Sequence, residues 1–91
     1  MPGFVLLARE RGDSSDTVRL GITVTKKIGG AVVRNRMKRR FRALARAIIE
    51  PQGLPGTDYV MIGRADGVER DFAKLAGELV KALTKLARPQ P

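Results

Sequence analysis

Ninety-one residues carry 18 Lys and Arg against 9 Asp and Glu, a formal net charge of +9. That excess points to a polyanionic partner, nucleic acid or an anionic membrane. The chain contains neither Cys nor His, which rules out disulfides, thiolate metal sites and the usual imidazole general base.

A chain of this length makes one small domain, residues 1–91, with a modest core. Residues 4–11 read as a strand, with Phe4, Leu6 and Ala8 on one face and Val5, Leu7 and Arg9 on the other. The apolar run from Phe4 to Ala8 is too short for a signal peptide or a membrane span. Gly12-Asp13-Ser14-Ser15-Asp16 is loop chemistry, and its closeness to the next strand predicts a hairpin. Residues 18–26 alternate: Val18, Leu20, Ile22 and Val24 against Arg19, Gly21, Thr23 and Thr25, the pattern of a half-buried strand.

Gly29-Gly30 interrupts that pattern, and helical spacing of Val33, Met37, Phe41, Leu44 and Ile48 predicts a helix over 31–49 with those residues inside. Pro51, Gly53, Pro55 and Gly56 end it in a loop. Residues 59–63 form a short apolar strand, and Asp66-Gly67 a turn. A second amphipathic helix is predicted over 70–87, with Phe72, Leu75, Leu79, Leu83 and Leu86 inside and Pro89 as its stop. Asp71 near its start, and Lys85 and Arg88 near its end, suit the helix dipole. The order β-β-α-β-α gives an α+β fold, a two-layer sandwich with helices on one face of a small mixed sheet. The helix between the second and third strands supplies the crossover that parallel pairing requires.

The first helix carries the informative chemistry. Asn35, Lys38, Arg39, Arg42 and Arg46 fall together opposite the apolar stripe, with Arg34, Arg36 and Arg40 along its borders. Like charges at i,i+4 (Arg34 with Lys38, Lys38 with Arg42, Arg42 with Arg46) cost the helix roughly 0.2–0.5 kcal/mol per pair. No acid lies between Lys26 and Ile49 to relieve them. A solvated helix face normally mixes signs, as Lys74, Glu78, Lys81 and Lys85 do on the second helix. The unmixed face therefore reads as one kept for a polyanion. Arg brings a planar fork that matches two phosphate oxygens, and Asn35 can both donate and accept toward a base edge or a 2′-hydroxyl. Lys26 and Lys27 extend the same basic surface.

These residues also carry a family resemblance. Val24-Thr25-Lys26-Lys27-Ile28-Gly29, then Ala31-Val32, then Arg34-Asn35-Arg36-Met37-Lys38-Arg39 resembles the signature of the bacterial ribonuclease P protein component, centred on an Arg-Asn-Arg motif. Val18-Arg19-Leu20-Gly21-Ile22, Asp58-Tyr59-Val60-Met61-Ile62 and the Leu-rich final helix extend the likeness over nearly the whole chain. The resemblance implies a fold like the second domain of ribosomal protein S5, with a left-handed βαβ crossover. It implies an accessory subunit of an endoribonuclease that trims the 5′ leader of precursor tRNA in the cytoplasm. The partners are then ribonuclease P RNA and precursor tRNA. Catalysis belongs to that RNA with its Mg²⁺, and the protein itself holds no catalytic residue and no tightly bound metal. Lys26, Lys27, Arg34, Asn35, Arg36, Lys38, Arg39, Arg42 and Arg46 become the RNA-binding set. A separate cleft on the sheet takes the leader, with Phe4, Leu6, Thr23 and Thr25 as its candidates. The sequence departs from the family in opening almost directly into the first strand, where a basic segment and a helix with aromatic residues are usual. Absence of that helix would favour a dimer. Gly30 stands where Asn is common, and Leu7 where some members place an aromatic.

Three other functions fit the composition less well. A ribosomal protein or RNA chaperone of related fold shares the charge but not the Arg34-Asn35-Arg36 signature. A protein-only nuclease would need converging carboxylates, and Asp13, Asp16, Glu50, Asp58, Asp66, Glu69 and Asp71 are scattered over loops and helix starts. Membrane-surface binding lacks Trp anchors and would take the apolar stripe from the core.

Overall fold

A computed structural model describes residues 3–12 and 16–87 of the chain. Three strands, β1 (Phe4–Glu10), β2 (Arg19–Thr23) and β3 (Thr57–Gly63), form one mixed sheet in the order β1-β3-β2. β1 runs antiparallel to β3, with Leu6 opposite Met61, and β2 runs parallel to it, with Ile22 opposite Met61. Helix α1 (Ala31–Leu44) makes the β2-to-β3 crossover. It continues through a π-helical segment (Ala45–Ile49) into the single turn α2 (Glu50–Gln52). Helix α3 (Phe72–Ala87) closes the chain.

The hairpin expected between the first two strands does not form. β3 lies between β1 and β2, because its Tyr-Val-Met-Ile run is the most buried of the three and gains by having a strand on each side. The connection must therefore span two inter-strand spacings, roughly 9–10 Å. Arg11 braces this crossing, donating to the Asp58 carboxylate of β3 at 2.6 Å and to the Thr17 carbonyl. Its side chain is only 8% exposed, an architectural role that the sequence did not suggest. Of the expected loop and helix-end residues, Asp13, Ser14, Ser15, Arg88 and Pro89 fall outside the described residues.

Both helices cover one face. Phe4 and Leu6 on β1, Leu20 and Ile22 on β2, and Tyr59 and Met61 on β3 share that face by register. They meet Met37, Phe41 and Leu44 of α1 and Leu75, Leu79 and Leu83 of α3. Phe41 is fully buried, and its ring stands edge-on to Phe4 with centroids 5.7 Å apart. Gly63 lets α1 come down on the sheet: a Cβ there would lie 2.6 Å from the Met37 sulfur. On the other face Val5, Leu7, Val60, Ile62 and Thr23 are uncovered by any helix among the described residues.

The buried stripe of α1 is not quite the expected one. Met37, Phe41 and Leu44 are inside, but the next turns bury Ala45 and Ile49 and leave Ile48 half-buried. The π segment is the cause. Its wider turn, with the Glu50 N–H bonded to the Ala45 carbonyl, shifts the inward face by one residue. Pro51 has no N–H to donate, and its ring would strike the carbonyl of residue 47 in a regular α-helix. Widening removes that clash and lets the helix run to Gln52 instead of stopping before Pro51. The second strand is also shorter than expected, ending at Thr23 before a 3-10 turn over Lys26–Ile28, although Val24 remains in the core.

Helix α3 buries Leu75, Leu79 and Leu83 as expected, but Phe72 and Leu86 at its ends are about two-fifths exposed. Asp71 caps its start, accepting from the Lys74 N–H at 3.3 Å. Glu78 is not part of an alternating surface row. It accepts from the Gly3 N–H at 2.9 Å and pairs with Arg70 at 2.6 Å, fastening the start of β1 and the loop before α3 to the helix. Burial alone would raise this carboxyl's pKa; the Gly3 N–H and the bond to and charge of Arg70 outweigh burial and hold it below its ordinary 4.5. Glu78 therefore stabilises the fold fully above about pH 4.5, and the contribution is lost as pH falls through the lowered folded value. Glu78→Gln should lower the melting temperature at pH 7 by roughly 4–8 °C, for a pair worth about 1 kcal/mol. Melting curves of the two proteins should converge as the pH is taken below that value.

Candidate nucleic-acid interface

α1 is amphipathic by construction: Met37, Phe41 and Leu44 hold one side against the sheet, so the residues opposite them must face outward. Asn35, Lys38, Arg39 and Arg42 line one concavity on that outer side together with Val32, which is 82% exposed. Lys38 and Arg42 also border a second concavity of about 460 Å³, completed on the helix side by Arg46 and Glu50. Its other side is the free edge of β2, represented by the half-buried Val18, Leu20 and Ile22. Lys38 and Arg42 thus form a ridge between two hollows, each pairing cations with apolar surface. The side chains of Asn35, Lys38, Arg39, Arg42 and Arg46 have no hydrogen-bond or acidic partner among the described residues.

The expected set divides. Asn35, Lys38, Arg39, Arg42 and Arg46 are brought together, as the helical spacing required. Arg34 turns back, its Nε donating to the Gly29 carbonyl at 3.2 Å. Arg36 is exposed but borders neither hollow, and Lys26 and Lys27 stand exposed on the 3-10 turn before the helix. Arg40, on the border, is a clamp: it donates to the carbonyls of Val68 and Arg70 at 3.4 and 2.5 Å and lies 5.8 Å above the Phe72 ring. Those contacts account for Phe72 lying at the surface.

The candidates on the sheet need correction. Phe4 is 3% exposed and Leu6 packs against the core, both on the helix-covered face, so neither can meet a ligand on the open one. Strand alternation is the reason: the outward partners on β1 are Val5 and Leu7. Thr23 does project from the open face beside Ile62, and Thr25 is exposed just beyond the strand. Sequence reasoning also missed Val32 and Glu50. Val32 carried a signal, an apolar residue off the helix stripe and next to the basic row. Glu50 joins the groove only through the continuation of the helix past its expected end.

Among the described residues no three Asp or Glu side chains gather as a metal site would need, and no helix is long and apolar enough to cross a membrane. The model of the family described as Ribonuclease P matches residues 1–87. The ribonuclease P protein component of Erythrobacter litoralis is 57% identical over 84 residues, spanning 92% of this chain and 68% of that protein. Its counterpart in Gluconacetobacter diazotrophicus is 50% identical over 84 residues, spanning 92% and 72%. The solved RNase P protein from Thermotoga maritima superposes with a TM-score of 0.77 at 34% identity, covering 90% of this chain and 76% of that one. A signature on the same helix that bears the basic face, a matching fold and these identities lead to one conclusion: the chain belongs to the ribonuclease P protein family.

Proposed function

We propose that the outer face of α1 docks the chain on ribonuclease P RNA, with Lys38, Arg39, Arg42 and Arg46 engaging phosphates and Asn35 meeting a base edge or 2′-hydroxyl. Family membership makes this an RNA-binding accessory subunit of an endoribonuclease, partnered with ribonuclease P RNA and precursor tRNA and serving removal of the 5′ leader. The observation that carries the docking is the unneutralised cluster on α1, four cations lining two adjacent hollows with no acid paired to them among the described residues. Lys26, Lys27 and Arg36 extend this positive surface, and Arg34 acts from the helix start.

In this reading the protein positions and screens while the RNA, with Mg²⁺ bound to it, performs the cleavage in the cytoplasm. The absence of His and Cys from the sequence supports that division of labour. The leader lies across the open sheet face, over Val5, Leu7, Val60, Ile62 and Thr23, with Thr25 at its border. Occupying that face with RNA removes the reason for a dimer there.

Reconstitution is the test. The chain, mixed with a bacterial ribonuclease P RNA at low Mg²⁺, should stimulate precursor-tRNA cleavage. Arg36→Glu with Arg39→Glu should remove most of the stimulation while leaving the melting temperature within a few degrees. Undiminished stimulation by the double variant would defeat the assignment.

A further inference from the structure

The hollow between α1 and β2 has a composition that phosphate binding alone does not explain. Its helix side carries Lys38, Arg42 and Arg46, its strand side the half-buried Val18, Leu20 and Ile22, and Glu50 stands at its border. A groove serving only to attract phosphates gains nothing from apolar surface and loses by a carboxylate. Glu50 is exposed and has no hydrogen-bond or ion-pair partner among the described residues, although Arg46 lies one helical turn before it. At about 460 Å³ the hollow falls within the roughly 300–1,000 Å³ of sites that take small organic groups. It also lies on the helix-covered side of the sheet, away from the open face of Val5, Leu7 and Val60.

From this we infer that the groove receives an unstacked nucleotide from a single-stranded stretch of RNA, and that Glu50 reads its base. The inference rests on the docking of RNA along α1 proposed above and names what one part of that surface recognises. Each component has a chemical counterpart in such a nucleotide. The flanking phosphates lie on the Lys38–Arg42 ridge, and Arg46 meets a phosphate or stacks on the base plane. The flat, weakly polar face of the base covers Leu20 and Ile22. A carboxylate only accepts hydrogen bonds, so Glu50 selects a base edge that donates. Guanine fits best, since its N1–H and N2–H lie side by side and match two carboxylate oxygens. Uracil fits worst, because carbonyls flank its one N–H.

Binding of two oligonucleotides to the full chain tests this: a nonamer of uridines, and the same nonamer with one central guanosine. The guanosine nonamer should bind about fivefold more tightly, and its titration should shift the methyl resonances of Val18, Leu20 and Ile22. Glu50→Gln removes one negative charge, so it should bind the uridine nonamer somewhat more tightly while losing the preference for the guanosine one. That pairing of a gain in affinity with a loss of selectivity is not expected from a structural role. Equal affinity of the wild type for the two nonamers would overturn the inference, as would shifts confined to Val5, Leu7 and Val60. So would an extended acidic peptide that perturbs the β2 amides more strongly than either RNA, since the free edge would then be a strand-addition site. Lys38→Glu with Arg42→Glu separates the two levels. Loss of ribonuclease P RNA binding in that variant, with no base preference in the wild type, sinks the inference and leaves the docking intact. Undiminished binding sinks the docking itself.

Discussion

Lys38→Glu with Arg42→Glu should weaken binding of ribonuclease P RNA at least about a hundredfold at moderate salt, and should not destabilise the protein. The two side chains border both hollows on α1. A charge-assisted contact contributes on the order of 1.5–3 kcal/mol, and 1.4 kcal/mol is a factor of about ten, so losing two such contacts gives the expected drop. The slope of log K against log salt should shrink by roughly 1.4 to 1.8, since each phosphate neutralised contributes about 0.7–0.9. Stability should move the other way. In the native helix Arg34, Lys38, Arg42 and Arg46 make three repulsive i,i+4 pairs. The double variant converts the first and last into attractive pairs, worth up to about 1 kcal/mol together. A binding assay over a salt series beside a melting curve separates the effects. A fall in melting temperature matching the loss of binding would mean that these cations hold the fold and do not serve RNA.

Phe41→Ala should cost about 3–5 kcal/mol. Phe41 is fully buried, meets the Phe4 ring edge-on and lies in the cluster where both helices meet the sheet. Small domains have a total stability of roughly 5–10 kcal/mol, so the variant should be partly unfolded near body temperature. Urea unfolding should show a lower midpoint with little change in slope. Binding to RNA should then fall only in proportion to the unfolded fraction, and high RNA concentration should restore the native spectrum by mass action. Phe41 makes no outward contact, so a variant that stayed fully folded yet failed to bind would contradict the division of α1 into a packing side and a binding side.

Much of this was legible in the residues themselves. Spacing of Met37, Phe41 and Leu44 fixed which side of α1 is buried, and therefore that Asn35, Lys38, Arg39, Arg42 and Arg46 share the other, because a helix repeats every 3.6 residues whatever packs against it. Alternation in β2 and the Leu75, Leu79, Leu83 series followed from the same local geometry, and the Arg-Asn-Arg signature named the family. Only the tertiary structure decided what depends on pairing between distant segments. Strand order was invisible because β1 and β2 look equally fit to pair with each other; burial of β3 on both edges decided it. Phe4 and Leu6, the leader candidates on β1, turned out to lie under the helices, because alternation separates two faces without saying which one the helices will cover. Arg34 and Arg40 read only as cations on the borders of the outer face of α1 until backbone carbonyls at Gly29, Val68 and Arg70 came within reach of them. Glu50 entered the groove only because a π turn ahead of Pro51 carried the helix onward, a matter of how the backbone accommodates a proline in three dimensions. Periodicity determines what a helix shows to its surroundings; packing determines what those surroundings are.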